Sequence, residues 1–161
     1  SVIGRTANIH QTLKIRPPVL RHVRQYRQST PWASEAGGQL FGTINTRQIF
    51  VTCASGPYVG DKRSRYRYRS NPSAAQRAIE DHHKQGLLYL GEWHTHAEDH
   101  PSTSNLDDDA MQRLIGNSQL NSNALLMMIV GRAPGAAGIK VWNVSRAMIF
   151  QWRLREEVET I

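Results

Sequence analysis

YLGEWHTHAEDHPSTSNLDDDAM, Tyr89–Met111, crowds three histidines, four aspartates, two glutamates and two serines between apolar shoulders. Groups of this kind are costly to bury without partners. Such a stretch is therefore either an exposed connection between two elements or a place where side chains converge on an ion. The segment before it, LLYLGEWHTH (87–96), is apolar until its far end and reads as a strand. The segment SNLDDDAMQRLIGN (104–117) reads as a helix, with Leu106, Ala110 and Leu114 near one face. Its aspartate-rich first turn suits the positive end of the helix dipole. On a strand, residues two apart point to the same side, so His94 and His96 can reach one point. Ser104 and Asp107, three apart at the helix opening, also share a face. A strand tip feeding a helix start could thus offer two imidazole nitrogens and one carboxylate oxygen to a single ion. Three protein ligands with a fourth position left for water is the arrangement of catalytic zinc. Each half has a plainer reading: H-x-H pairs arise by chance, and S-x-x-D resembles a helix-capping box. Their combination at this spacing favours the metal.

Outward from this centre, HQTLKI (10–15) alternates like a short strand, and Pro17–Pro18 open a helix over 17–28 with Val19, Val23 and Tyr26 on one face. STPWASEAGG (29–38) reads as a loop. GGQLFGTIN (37–45) and RQIFVTCAS (47–55) read as a hairpin, GPYVGDKRS (56–64) as loop and RYRYR (65–69) as an edge strand. NPSAAQRAIEDHHKQG (71–86) has an Asn or Ser cap, an early proline and a terminal glycine, the marks of a helix. NALLMMIVG (123–131), IKVWNV (139–144) and AMIFQWRL (147–154) end the chain as three strands. The pattern predicts an α/β fold with a mixed, mostly antiparallel sheet flanked by helices, as one domain over residues 1–161.

Composition narrows the class. The 161 residues are 39% hydrophobic, enough for a core in one compact domain. Twenty Lys and Arg against 13 Asp and Glu leave a net charge of +7, which favours an acidic partner without choosing its kind. Cys53 is the sole cysteine, so no internal disulfide or cysteine-based zinc knuckle can form. Lying in an apolar strand with no flanking base, it is expected to be core rather than nucleophile. No apolar run resembles a leader or is long enough to span a bilayer, so a cytoplasmic setting without membrane contact is expected.

H-x-H, seven residues, then S-x-x-D resembles the JAMM motif of the JAB/MPN metalloproteases. His94-Thr95-His96, Ala97 to Thr103, then Ser104-Asn105-Leu106-Asp107 fits it, and Glu35 in SEAGGQLFG stands where the family has an upstream glutamate. Read by itself, Glu35 would be an exposed loop acid. The resemblance implies the cytidine-deaminase-like JAB/MPN fold and one zinc ion held by His94, His96 and Asp107. It makes Glu35 the general acid and base, and Ser104 the hydrogen-bond donor to the oxyanion. It is narrowest to JAB-domain proteins encoded beside CD-NTases in CBASS anti-phage operons. That implies a protein substrate with an extended C-terminal tail, a CD-NTase or its conjugates. Ala97 departs from the proline that often follows H-x-H in the family. The motifs H-E-x-x-H and P-C-x-x-C are absent. His100, His82 and His83 are expected at the surface or behind the ligands, and Trp93 beneath the site.

Two other classes stand against the enzyme. One is a metal-free MPN scaffold, disfavoured because every motif position is intact. The other is a nucleic-acid-binding domain, suggested by net charge and by RSRYRYR (63–69), in which aromatics alternate with cations. The same run could pair with an extended substrate tail by β-augmentation.

Overall fold

In the computed structural model, which describes residues 1–102 and 124–158, strands β1 (Val2–Arg5) and β2 (Thr12–Ile15) lead into helix α1 (Pro17–Arg24). Strands β3 (Gly37–Ile44) and β4 (Gln48–Ser55) form the expected hairpin. A small ribbon of β5 (Lys62–Arg63) and β6 (Tyr68–Arg69) precedes helix α2 (Pro72–Lys84) and strand β7 (Leu88–Thr95). Strands β8 (Leu125–Val130), β9 (Ile139–Val144), β10 (Ile149–Gln151) and β11 (Arg153–Glu156) follow. The helix expected over 104–117 lies outside the described residues.

Among the described residues, nine strands make one sheet in the order β10-β9-β8-β7-β3-β4-β2-β1-β11, with parallel pairing only at β2·β4 and β7·β8. The expected α/β class, with a mixed and mostly antiparallel sheet flanked by helices, is what is found. The last segment differs from expectation. AMIFQWRL divides at Trp152 into β10 and β11, which occupy opposite edges of the sheet. The sheet therefore curls until its edges meet at Trp152, which is buried in the core. A single strand there would have left that indole on a sheet edge. β1, which the alternation of its short sequence did not announce, closes the far side by pairing with β2 and β11.

Inside the curl, α1 buries Val19, Leu20 and Val23 against Leu13, Val51, Trp93 and Val130. The helix stops at Arg24 rather than at residue 28. Tyr26 and Arg27 make three-residue backbone bonds to Val23 and Arg24 instead of continuing the helix. That turn brings Gln28 inward, where its amide donates to the carbonyls of Ala33 and Arg65 and accepts from Thr95 Oγ1. Tyr26, past the helix end, still packs its ring 5.9 Å from that of Trp93.

A bulge decides which residues of β7 face the site. Register against β3 runs Phe41↔Tyr89, slips, then continues Gln39↔Glu92 and Gly37↔His94. Gly91 sits at the slip with φ +152, and a Cβ there would lie 1.9 Å from the Leu126 carbonyl oxygen. Because of the extra residue, Leu90, Trp93 and Thr95 turn into the core while Tyr89, Glu92 and His94 take the other face. Helix α2 lies on that other face. Asn71 caps it by accepting from the N–H groups of Ser73 and Ala74, and Gly86 at φ +81 ends it.

Candidate active site

The site grows from the ends of β3 and β7. The register pairs Gly37 with His94, and Thr95 N–H donates to the Ala36 carbonyl at 2.8 Å, so pairing continues past the strand end. Thr95 Oγ1 accepts from Ala36 N–H at 3.0 Å. Glu35 lies two residues before Gly37, the β3 partner of His94, and His96 lies two residues after His94. His96 leaves the strand, held by its N–H to the Val130 carbonyl at 3.0 Å. The two imidazoles converge, with Nε2 of His94 and Nε2 of His96 3.0 Å apart and ring centroids at 4.8 Å. His94 is 7% exposed and so is Glu35.

Glu35 is therefore not the exposed loop acid that its own sequence surroundings imply. The β5–β6 ribbon holds it. Glu35 N–H donates to the Ser64 carbonyl at 2.7 Å, and Arg63 Nε–H donates to the Glu35 carbonyl at 2.8 Å. Tyr68 lies across Gly37, so close that a Cβ on Gly37 would meet its ring carbons at 2.6 Å and the Trp93 carbonyl oxygen at 2.5 Å. The ribbon itself is fixed by Asp61, whose carboxylate accepts from Tyr68 OH and from the N–H groups of Tyr58 and Asn71, each at 2.6 Å. RYRYR is thus no edge strand of the main sheet. The chain folds back at residues 64–67, and only Tyr68–Arg69 of that run pairs, with Lys62–Arg63.

Beside the histidines, Gln39 donates to Glu92 and Ser70, and Tyr58 OH donates to Gln39 at 2.5 Å. Burial, together with the nearby charges of Asp61 and Glu92, pushes the Tyr58 hydroxyl up to about 12. Burial and then the bond to Asp61 raise Tyr68 further. Both phenols stay neutral and act as donors.

The spacer after His96 is tied down as well. Ser102 N–H donates to Glu98, and Arg132 pairs with Asp99 at 3.1 Å while its N–H bonds the Glu98 carbonyl. His100, exposed as expected, reaches the Ala137 carbonyl through Nδ1. Trp93, next to His94 in the chain, is buried in the core, its indole N–H on the Ser55 carbonyl at 2.9 Å.

Two imidazole nitrogens bound to one tetrahedral zinc lie roughly 3.3 Å apart, given bonds near 2.0–2.1 Å. The 3.0 Å separation of the His94 and His96 nitrogens is close to that, so these two residues fit a shared ion. Among the described residues no three His, Cys, Asp or Glu side chains converge. Asp107, the third ligand that the family resemblance assigns, and Ser104 lie outside those residues.

Cys53 differs from expectation. It is half-buried, and α2 brings His82 Nε2 to 3.4 Å from its sulfur. His82 Nδ1 lies 2.6 Å from the Ala78 carbonyl and its ring stacks on Phe41 at 3.7 Å, so a base faces Cys53 after all. Burial raises the thiol's pKa, which keeps it protonated. His83, on the other side of α2, is exposed.

The fold, the H-x-H strand tip and a buried glutamate just before the strand paired with it are those of a JAB domain. The profile of prokaryotic homologs of the JAB domain matches residues 17–148, and the chain belongs to that family. Within it, the chain is 34% identical over 116 residues to a CD-NTase/cGAS isopeptidase of Pseudomonas aeruginosa, covering 70% of this chain and 73% of that one. A CD-NTase/cGAS isopeptidase of Escherichia coli is 31% identical over 128 residues, 78% of this chain and 80% of its own. A solution structure of a Desulfitobacterium hafniense protein has the same fold, with TM-score 0.60, 20% identity, and coverage of 86% and 88%.

What local sequence could not reveal are Arg63, Ser64, Tyr68, Gln28 and Thr95, which shape the site from behind. No spacing marks them, because each acts through a contact with a residue distant in the chain.

Proposed function

We propose that this chain is a zinc-dependent isopeptidase that releases a CD-NTase from proteins to which its C-terminal tail is joined, in the cytoplasm, as part of anti-phage defence. The observation that carries this reading is the convergence of His94 and His96 at the end of β7, with Glu35 buried just before the β3 strand that pairs with it. The names of the relatives supply the bond and the target class.

The residues support hydrolysis as follows. His94, His96 and Asp107 would hold one zinc. When bound, zinc makes water a nucleophile at neutral pH and polarises the attacked carbonyl. Glu35 takes a proton from the attacking water as the carbon–oxygen bond forms. It returns the proton to the amine nitrogen as the carbon–nitrogen bond breaks, a contribution typically of order 10²- to 10⁴-fold. Ser104 would donate to the oxygen that gains charge. Burial of Glu35 and His94 limits bulk water around that exchange. The two anchoring bonds from the β5–β6 ribbon hold the Glu35 backbone, which narrows where its carboxylate can reach.

The decisive experiment uses a CD-NTase tail joined to a lysine side chain of a carrier protein. Release of the intact nucleotidyltransferase, lost with chelator and restored by zinc, is expected. Release at an unchanged rate after complete metal removal would overturn the reading.

A further inference from the structure

The β5–β6 ribbon carries Lys62, Arg63, Arg65, Arg67 and Arg69 in eight residues, and all but Arg65 are exposed. Lys62 and Arg69 are direct partners across the ribbon. Like charges so placed repel and weaken a ribbon unless an anion lies near them. Among the described residues, neither salt bridge involves any of these five side chains. The neighbouring carboxylate, Asp61, points inward and accepts from Tyr58, Tyr68 and Asn71. Among the described residues, then, these cations have no ion-pair partner.

The ribbon's inner side fixes where that charge stands. Ser64 and Arg63 bind the backbone of Glu35, and Tyr68 covers Gly37, the β3 partner of His94. The exposed cations thus stand on the ribbon that holds the Glu35 backbone, within reach of a polypeptide that arrives there. Because the ribbon is separate from the nine-stranded sheet, its charges do not serve to protect that sheet's edge.

We propose that the β5–β6 ribbon binds acidic side chains of the incoming polypeptide, so that substrates with Asp or Glu flanking the scissile bond are selected. This rests on the peptidase reading of the same site and names its substrate preference. A nucleic-acid groove is the weaker fit to the same residues. Single strands are held by successive exposed aromatics. Here Tyr68 is turned inward onto Gly37, and the face of Tyr66, 74% exposed, already carries the Arg65 guanidinium at 5.5 Å.

The test uses the full chain and the triple variant K62E/R67E/R69E, whose altered side chains are exposed and make no hydrogen bond within the described residues. Fluorescein-labelled decapeptides, one rich in Asp and Glu, one neutral and one rich in Lys, are titrated by anisotropy against chelator-treated protein. The acidic peptide should bind about tenfold tighter than the neutral one, as three exposed ion pairs of modest strength predict. The preference should fade with added salt and reverse towards the Lys-rich peptide in the variant. Equal affinity for all three peptides would overturn the proposal. So would a variant that keeps the acidic preference, or a random DNA duplex that binds more tightly and displaces the acidic peptide.

Cleavage of paired CD-NTase tail fusions, with two Glu or two Lys beside the bond, is read separately in the zinc-loaded protein. A lower KM for the Glu fusion, lost in the variant at unchanged kcat, supports the proposal. Cleavage with no charge preference would sink the ribbon's role and leave the peptidase standing. Acid-selective binding with no cleavage of either fusion would sink the peptidase reading and leave the ribbon's ligand class standing.

Discussion

Arg63 donates its Nε–H to the backbone carbonyl of Glu35 at 2.8 Å, linking a surface ribbon to the buried acid of the site. The contact spans 28 residues of chain and works through backbone rather than carboxylate. Under the proposed mechanism Arg63 is a positioning residue. In Arg63→Ala, kcat should fall about ten- to hundredfold, the scale expected of a misplaced catalytic group. KM and zinc content should change little. Steady-state kinetics with metal analysis on the same sample checks this, and unchanged kcat would show that Ser64 alone holds Glu35.

Glu35→Gln keeps the size of the side chain and removes its basicity. Turnover should drop by at least about 10²-fold while bound zinc stays the same. The measurement is single-turnover cleavage alongside zinc stoichiometry. A variant that loses its zinc would instead assign Glu35 to holding the ion.

His94→Ala removes one of two nitrogens that lie 3.0 Å apart, and Asp107→Ala removes the proposed third ligand. Both should bind zinc at least about tenfold more weakly, with activity following occupancy. Competition with a chromogenic chelator reads this directly. Ser104→Ala should keep zinc and lose kcat. Wild-type kcat would make Ser104 a helix cap only.

Gly37 is pressed between the Trp93 carbonyl and the Tyr68 ring. Gly37→Ala places a methyl group where backbone cannot yield, so the ring and its ribbon must move. A loss of about 1–3 kcal/mol is expected from overpacking. It should come with lower kcat, because the same ribbon holds Glu35. Chemical denaturation and kinetics on one preparation test both parts.

Tyr58, Tyr68 and Tyr89 are all raised above the ordinary tyrosine value of 10, burial being the first cause in each. A raised acid is neutral in the folded chain at a pH where the unfolded chain already ionises. The stability it contributes is therefore complete below pH 10 and is lost as pH rises through about 12 for Tyr58. Urea midpoints should hold steady to about pH 10 and then fall. In Tyr68→Phe the alkaline decline should be shallower, and an unchanged slope would refute the assignment.

Local periodicity was enough to mark the strand ending in His94 and His96, the β3–β4 hairpin and helix α2. Strand alternation and helix capping depend on near neighbours, which the order of residues specifies directly. Helix α1 was legible at its proline start but not at its end, because Gln28 turns inward to meet Thr95 and Arg65, contacts distant in the chain. The residues 104–117 and their Ser104 and Asp107 lie outside what the structure describes, so their place rests on the family's pattern.

The sequence by itself placed His94 and His96 two residues apart at a strand end, where a pleat of period two lets both reach one side. Tertiary structure alone decided that Glu35 is buried, that the Arg-Tyr run folds back to hold it, that Trp152 divides one apolar run between two sheet edges, and that His82 faces Cys53. Each of these depends on hydrogen bonds or packing between segments far apart in the chain. Their partners are chosen by the curl of the whole sheet, and no short window of residues contains that information.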